Sequence, residues 1–376
     1  MYDLIIRNAR LSDEQVVDIA LQDGRIAAIG KVQGSAPRER DLAGRYYLSA
    51  GWIDSHVHCY PKSPIYHDEA DAIGVAHGVT TVVDAGSTGA EHIDDFYQLT
   101  RAAQTQVYAL INIARTGIVT QNELADMTQI DGEAVQQAVA RLPDFIVGLK
   151  ARISSSVVGQ NGVQPLIKAK AIQQESGGLP LMVHIGNNPP NLDQIADLLT
   201  TGDIITHCFN GKPNRILTPQ GELKAAVKHA IARGVKLDVG HGSASFSFEV
   251  ARVAIAQGIL PDTISSDIYC RNRLTGPVHS LAHVMSKFFS VGMTLPQVID
   301  CVTVNAAAGL RLLRKGQLKV GYNADLTVFS VKEETRPFID SEGEQVAGEK
   351  HLVPLAAVVA GTWIATEEGI AHDLGI

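Results

Sequence analysis

The chain is poor in cysteine, has no basic run and contains no long apolar stretch. Its four cysteines, Cys59, Cys208, Cys270 and Cys301, include no Cys-x-x-Cys pair. The net charge is -8 and lysine and arginine never cluster, so nucleic acid and anionic membrane are not expected partners. An acidic surface offers no long-range attraction to an acidic substrate, so any anion site must be local. No apolar run approaches the roughly 20 residues that span a bilayer. The opening residues, MYDLIIRNAR, lack a charged-then-apolar leader pattern. A cytoplasmic location with reduced thiols is the expectation. No Gly-x-Gly-x-x-Gly follows the first strand, which counts against a doubly wound dinucleotide-binding sheet, and no internal repeat is present. What remains is an ordinary globular composition of 376 residues, 45% hydrophobic and 19% charged, able to bury a large core.

The two ends of the chain read alike. Residues 1–50 and 315–376 alternate in the manner of short strands around glycine and Asp-Gly turn signals. They predict one small β-sandwich domain, discontinuous in sequence. Residues 51–314 differ. Apolar strand candidates occur in AGWIDSHVH, VTTVVDAG, VYALINIA, DFIVGLKA, PLMVHIG, DIITHCF, VKLDVGHG and TISSD, with amphipathic helical patterns such as ELKAAVKHAIARG between them. Strands alternating with helices imply parallel βα units. Eight of them in about 260 residues predict an α/β fold of the (β/α)8 TIM-barrel type, with an open doubly wound sheet as the alternative. The polar stretch TGIVTQNELADMTQIDGE reads as a lid over the barrel mouth or as a surface excursion.

In such a barrel the C-terminal strand ends face the active site. The first ends in DSHVH, and strand alternation puts His56 and His58 on one face. The fourth ends at Lys150, the fifth at His184, the sixth at His207 and the eighth at Asp267. Taken singly, each has a structural reading, such as a satisfied polar side chain or a helix cap. Together they make a nest for divalent transition metals, and six groups suit two ions better than one. Burial favours the neutral amine of Lys150, which can add carbon dioxide and become a bridging carbamate. Arg152 shares that strand face. It reads either as a fork for an anionic substrate group or as half of a structural ion pair. His241, just past the seventh strand, is a candidate for contact with substrate or water. Asn187, Asn210 and Tyr269 follow barrel strands and are candidate substrate contacts.

The motifs LSAGWIDSHVH, the lysine, the two single histidines and the SSD aspartate, in this order, resemble the amidohydrolase superfamily. DIALQDGRIAAIG and VTVNAAAGLRLLRKGQLKVGYNADLTVF resemble its flanking segments. Within it the chain looks closest to the dihydroorotase and D-aminoacylase branch. GLKARISSS, LDVGHGSASFSF and MSKFFSVGM are similar to a group of acetyl-(R)-mandelate deacetylases. The resemblance implies two divalent ions, zinc by default. His56 and His58 would hold the more buried one with Asp267, and His184 and His207 the more exposed one. Carboxylated Lys150 would bridge them, and Asp267 would be the proton carrier. The implied reaction is hydrolysis of an ester or amide of a small acylated acid that bears a carboxylate. Ring-opening hydrolysis of a cyclic amide uses the same residues and is the alternative. A non-catalytic interaction protein on the same fold is a further one. A homo-oligomer is compatible with all three.

Overall fold

A computed structural model describes residues 1–372. In chain order its strands are β1 (Leu4–Arg10), β2 (Val16–Gln22), β3 (Arg25–Gly30), β4 (Arg38–Asp41) and β5 (Tyr47–Ala50). These are followed by β6 (Trp52–Val57), β7 (Val79–Ala85), β8 (Gln106–Asn112), β9 (Ile146–Ile153), β10 (Leu181–Ile185), β11 (Ile204–Thr206) and β12 (Lys236–Asp238). The last are β13 (Leu326–Ile339), β14 (Gln345–Val359) and β15 (Thr362–Ala365). All four cysteines are free thiols. Among the described residues no helix is long and apolar enough to cross a membrane.

Strands from both chain ends form one eight-stranded sheet in the order β15-β14-β13-β5-β1-β2-β3, with β4 also paired to β1. Asp23 and Gly24 both adopt positive φ, 51° and 70°, which suits the two-residue turn that joins β2 to β3. Ile6, Ile19 and Leu21 from one arm share a core with Leu326, Val328, Leu355 and Val358 from the other. The arms are thus held by a common apolar interior. The hairpin of β13 and β14 is long enough to leave this sheet and reach the barrel. Phe338 near its tip is buried in the barrel's own core.

The strands from β6 to β12 form a parallel sheet in sequential order. Each is flanked by helices, which explains why they are apolar on both faces. The eighth position departs from the expected strand. Residues 263–268 carry only two isolated parallel bridges, Asp238 with Thr263 and Val57 with Ile268. They still close the barrel, because His241 N donates to Ser265 O and Asp267 N donates to His56 O, at 3.1 and 2.7 Å. Side chains replace the missing ladder. Ser265 Oγ donates to Asp238, Ser266 Oγ bonds Asp54, and Asp267 turns out of the extended region with φ 52°.

The strand that carries Lys150 also differs from expectation. It runs on to Ile153, so Lys150 and Arg152 stand within it, paired with Met182 and His184 of β10. Below the polar layer Ile53, Val83, Leu110, Met182 and Ile204 form an apolar plug with Ala306, Ala307 and Leu310. The plug closes the bottom of the barrel and leaves its upper end for chemistry.

Candidate active site

His56, His58, Lys150, His184, His207 and Asp267 all line one pocket at the C-terminal strand ends, of about 210 Å³. Asp267 Oδ1 lies 3.1 Å from His56 Nε2 and 3.0 Å from His58 Nε2. His207 Nε2 lies 2.9 Å from His184 Nδ1. His56, His207 and Asp267 offer ligand atoms within 4.8 Å of one another. His207 and Asp267 both adopt positive φ, 65° and 52°. That is an uncommon and costly backbone for such residues, and it clusters at functional sites.

The outer hydrogen bonds orient these rings. His56 Nδ1 faces Thr206 Oγ1 at 2.9 Å, and that hydroxyl donates its one proton to Asp238 at 2.8 Å. Thr206 must therefore accept from His56 Nδ1–H, which makes Nε2 the lone-pair nitrogen of the neutral ring. His207 Nδ1 faces the Gly240 carbonyl at 2.6 Å, which again makes Nε2 the lone pair. His58 Nδ1 meets Ser87 Oγ at 2.8 Å. Lone pairs on His56 and His207 thus face the Asp267 carboxylate and His184. Such convergence is stable only with protons or cations between the acceptors.

The titration behaviour follows from this crowding. Burial would raise the Asp267 carboxyl, but His56 and His58 hold it well below the usual carboxylate range. Burial pushes His207 down to about 3, and burial together with His207 pushes His184 well below its ordinary value. Burial and Lys150 pull His56 down, and the carboxylates of Asp267 and Asp238 more than offset them.

Lys150 is fully buried. Among the described residues its Nζ has one hydrogen bond, to Ala85 O at 3.0 Å. A buried ammonium with a single acceptor is costly, and burial lowers it to about 8. Gly86, at φ 81°, makes the space for this side chain. A Cβ there would stand 2.7 Å from Lys150 Cγ. Gly242, at φ 59°, does the same for Asp267, with 2.6 Å to Oδ2. The donor set, the aligned lone pairs and the under-bonded lysine all fit a pair of divalent ions.

The other expected contacts divide. Asn187 and Tyr269 line the pocket. Arg152 also lines it, but its Nε and Nη2 are both taken by Glu123, at 2.6 Å each. The expected ion pair is formed, and the guanidinium keeps a place in the pocket wall as well. His241 is fully buried and is held by Gly242 O and Lys287 Nζ, each at 2.8 Å, so it stands behind the wall and does not line the pocket. Asn210 is buried as well. It donates to His207 O and accepts from Lys212 N, each at 3.0 Å, which makes it a brace for the loop.

Sequence reasoning passed over Lys212, Ser154, Ser156, Ser243, Tyr66 and Gln121, which also line the pocket. Lys212 follows His207 within one strand-end loop, and that placement was the available signal. The stretch at 116–133 is no loose excursion. It supplies Gln121 to the pocket, Glu123 to Arg152 and Leu124 to the core.

Four imidazoles, a carboxylate and a buried lysine at the mouth of a (β/α)8 barrel define a metallohydrolase. The Amidohydrolase family model matches residues 47–364, and the chain belongs to that family. It is 46% identical over 362 residues to a deacetylase of Enterococcus faecalis, covering 96% of this chain and 98% of that one. It is 36% identical over 353 residues to a deacetylase of Agrobacterium fabrum, covering 93% and 86%. A solved structure described as an adenine deaminase superposes with a TM-score of 0.96 at 45% identity, covering 97% of this chain and 100% of that one. One described as a dihydroorotase gives 0.89 at 34%, covering 96% and 99%. The chain is a hydrolase of ester or C–N bonds, and members of its family generally use divalent metals, often with a carboxylated lysine.

Proposed function

We propose that this chain is a binuclear metal-dependent deacetylase. Its substrate would be the acyl ester or amide of a small acid, such as an O-acetyl-R-hydroxy acid or an N-acyl-D-amino acid. The observation that carries this reading is the convergence of His56, His58, Lys150, His184, His207 and Asp267 on one pocket. The two deacetylase relatives support the acyl-transfer chemistry. His56, His58 and Asp267 would hold one ion and His184 with His207 the other. Zinc suits imidazole and carboxylate ligands of this kind. Bound there, such ions lower the pKa of water and polarise a carbonyl.

Lys150 would be shared between them as a carbamate. Its neutral amine adds carbon dioxide, an N–C bond forms and one N–H proton leaves. The product is an anion where an ammonium had a single acceptor. Asp267, held ionised, takes the proton of the attacking water at Oδ2 and delivers it to the leaving oxygen or nitrogen. Thr206, Asp238, Ser87 and Gly240 O hold the rings so that their lone pairs stay aimed at the centre.

A panel of O-acetyl-hydroxy acids, N-acyl-D-amino acids and cyclic imides, run with zinc and bicarbonate, tests the reading. Release of acetate from acyclic substrates is expected. Faster opening of the cyclic imides would instead favour dihydroorotase-like chemistry. Hydrolysis of none of them by metal-loaded protein would remove the deacetylase reading.

A further inference from the structure

The pocket needs an anion contact if its substrate is an acid, and Glu123 already holds Nε and Nη2 of Arg152. We propose that Lys212 is the residue that binds the substrate carboxylate and so sets the preference for acidic acyl esters. The proposal rests on the deacetylase reading above and deepens it.

Several observations converge on this side chain. Lys212 lines the pocket with the six central residues. Among the described residues its Nζ has no hydrogen-bond or ion-pair partner. It is half-buried, so it is partly stripped of water and gains more from an incoming anion than an exposed lysine does.

Its backbone is fixed rather than mobile. Lys212 N donates to Asn210 Oδ1 at 3.0 Å, and Lys212 O accepts from Arg215 Nε at 2.9 Å. Asn210 also accepts no slack from the barrel, because its Nδ2 is bonded to His207 O at 3.0 Å. One amide side chain thus sets the lysine's position relative to His207.

Gly186 keeps the intervening space clear. A Cβ there would stand 3.6 Å from Lys212 Nζ, 3.4 Å from His184 Nε2 and 3.3 Å from Ser154 Cβ. The ammonium and the His184 ring therefore both border the space beside Gly186, which asks for a compact group between carboxylate and scissile carbonyl. A 2-acyloxy or 2-acylamino acid has that compactness, because one carbon separates its carboxylate from the acylated atom.

The tip of the β13–β14 hairpin adds a counterweight. Glu342 lies against Gly211, where a Cβ would come within 2.7 Å of its Oε1. Burial lowers the Lys212 ammonium below its ordinary value, and the Glu342 and Asp267 carboxylates offset part of that without forming an ion pair with it. The hairpin is anchored there by Ser341 N to Phe246 O at 3.0 Å and by Lys287 Nζ to Ile339 O at 2.7 Å.

The test uses the full-length, zinc-loaded chain and its Lys212→Met and Lys212→Arg variants. Calorimetry measures binding of (R)-mandelate against uncharged (R)-mandelamide. Kinetics compare O-acetyl-(R)-mandelate with its methyl ester. The wild type is expected to prefer the acid in both assays. Lys212→Met is expected to lose about 10–100-fold on the acid, mainly in KM, and to change by under about threefold on the neutral partner. Lys212→Arg is expected to keep most of the preference, which a purely structural role would not produce. Gly186→Ala is expected to weaken the acid with Lys212 intact. A preference that survives Lys212→Met, or none in the wild type, overturns the assignment. A Lys212-dependent binding preference without hydrolysis of either ester overturns the deacetylase reading and leaves the anion contact standing.

Discussion

Replacing Glu123 with glutamine should destabilise the protein far more than an ordinary ion-pair deletion. The Glu123 side chain is 0% exposed and that of Arg152 is 8% exposed, with their closest atoms 2.6 Å apart. Two parallel charge-assisted bonds hold the guanidinium. Burial alone would lower Arg152, yet Glu123 holds it above its ordinary value. Removing one partner of a buried pair leaves the other charge uncompensated and costs about 3–5 kcal/mol. Arg152 keeps one face on the pocket, where water can reach it, so the low end, about 3 kcal/mol, is expected. Equilibrium urea unfolding of the metal-loaded chain measures this, provided the slope stays constant. Arg152→Met should cost a similar amount. The double variant Arg152→Met with Glu123→Leu should cost much less than the sum, because no lone charge remains. A loss under about 1 kcal/mol for Glu123→Gln, the value typical of exposed pairs, would refute this account of the pocket wall.

Lys150→Ala should lose both metal and activity, with partial rescue of activity by formate or propionate in place of the carbamate, and full activity would remove the bridging role. Gly86→Ala should mimic part of that loss in metal titrations, since its Cβ meets Lys150 Cγ at 2.7 Å on a backbone with φ 81°; unchanged metal content would contradict the cradle. Lys287 is buried and pushed from 10.5 down to about 7. Above pH 7 the unfolded chain therefore holds a proton that the folded one releases, and stability rises with pH between about 7 and 10.5. Lys287→Met should flatten that rise between pH 7 and 9 in unfolding midpoints, and an unchanged slope would exclude Lys287 as its source.

The six central residues were legible in the sequence because barrel topology converts strand ends into neighbours. His184 and His207 stand on successive strands, and nothing but the βα repeat places them together. The pocket wall was harder to read. Glu123 lies 29 positions from Arg152, in a polar segment whose periodicity says only that it is a loop. His241 follows a strand just as His207 does, yet Lys287 from a distant helix draws its ring into the wall. Such outcomes depend on tertiary packing, which periodicity does not encode. The eighth strand failed for a related reason. Ser265 and Ser266 spend their side chains on Asp238 and Asp54, and these bonds replace backbone pairing without leaving a pattern in the sequence.

Metal stoichiometry of the purified chain after reconstitution with zinc and bicarbonate tests the central claim most directly. The account predicts two ions per chain in the wild type, with a marked loss in a folded Lys150→Ala variant. Well under one ion per wild-type chain would contradict it.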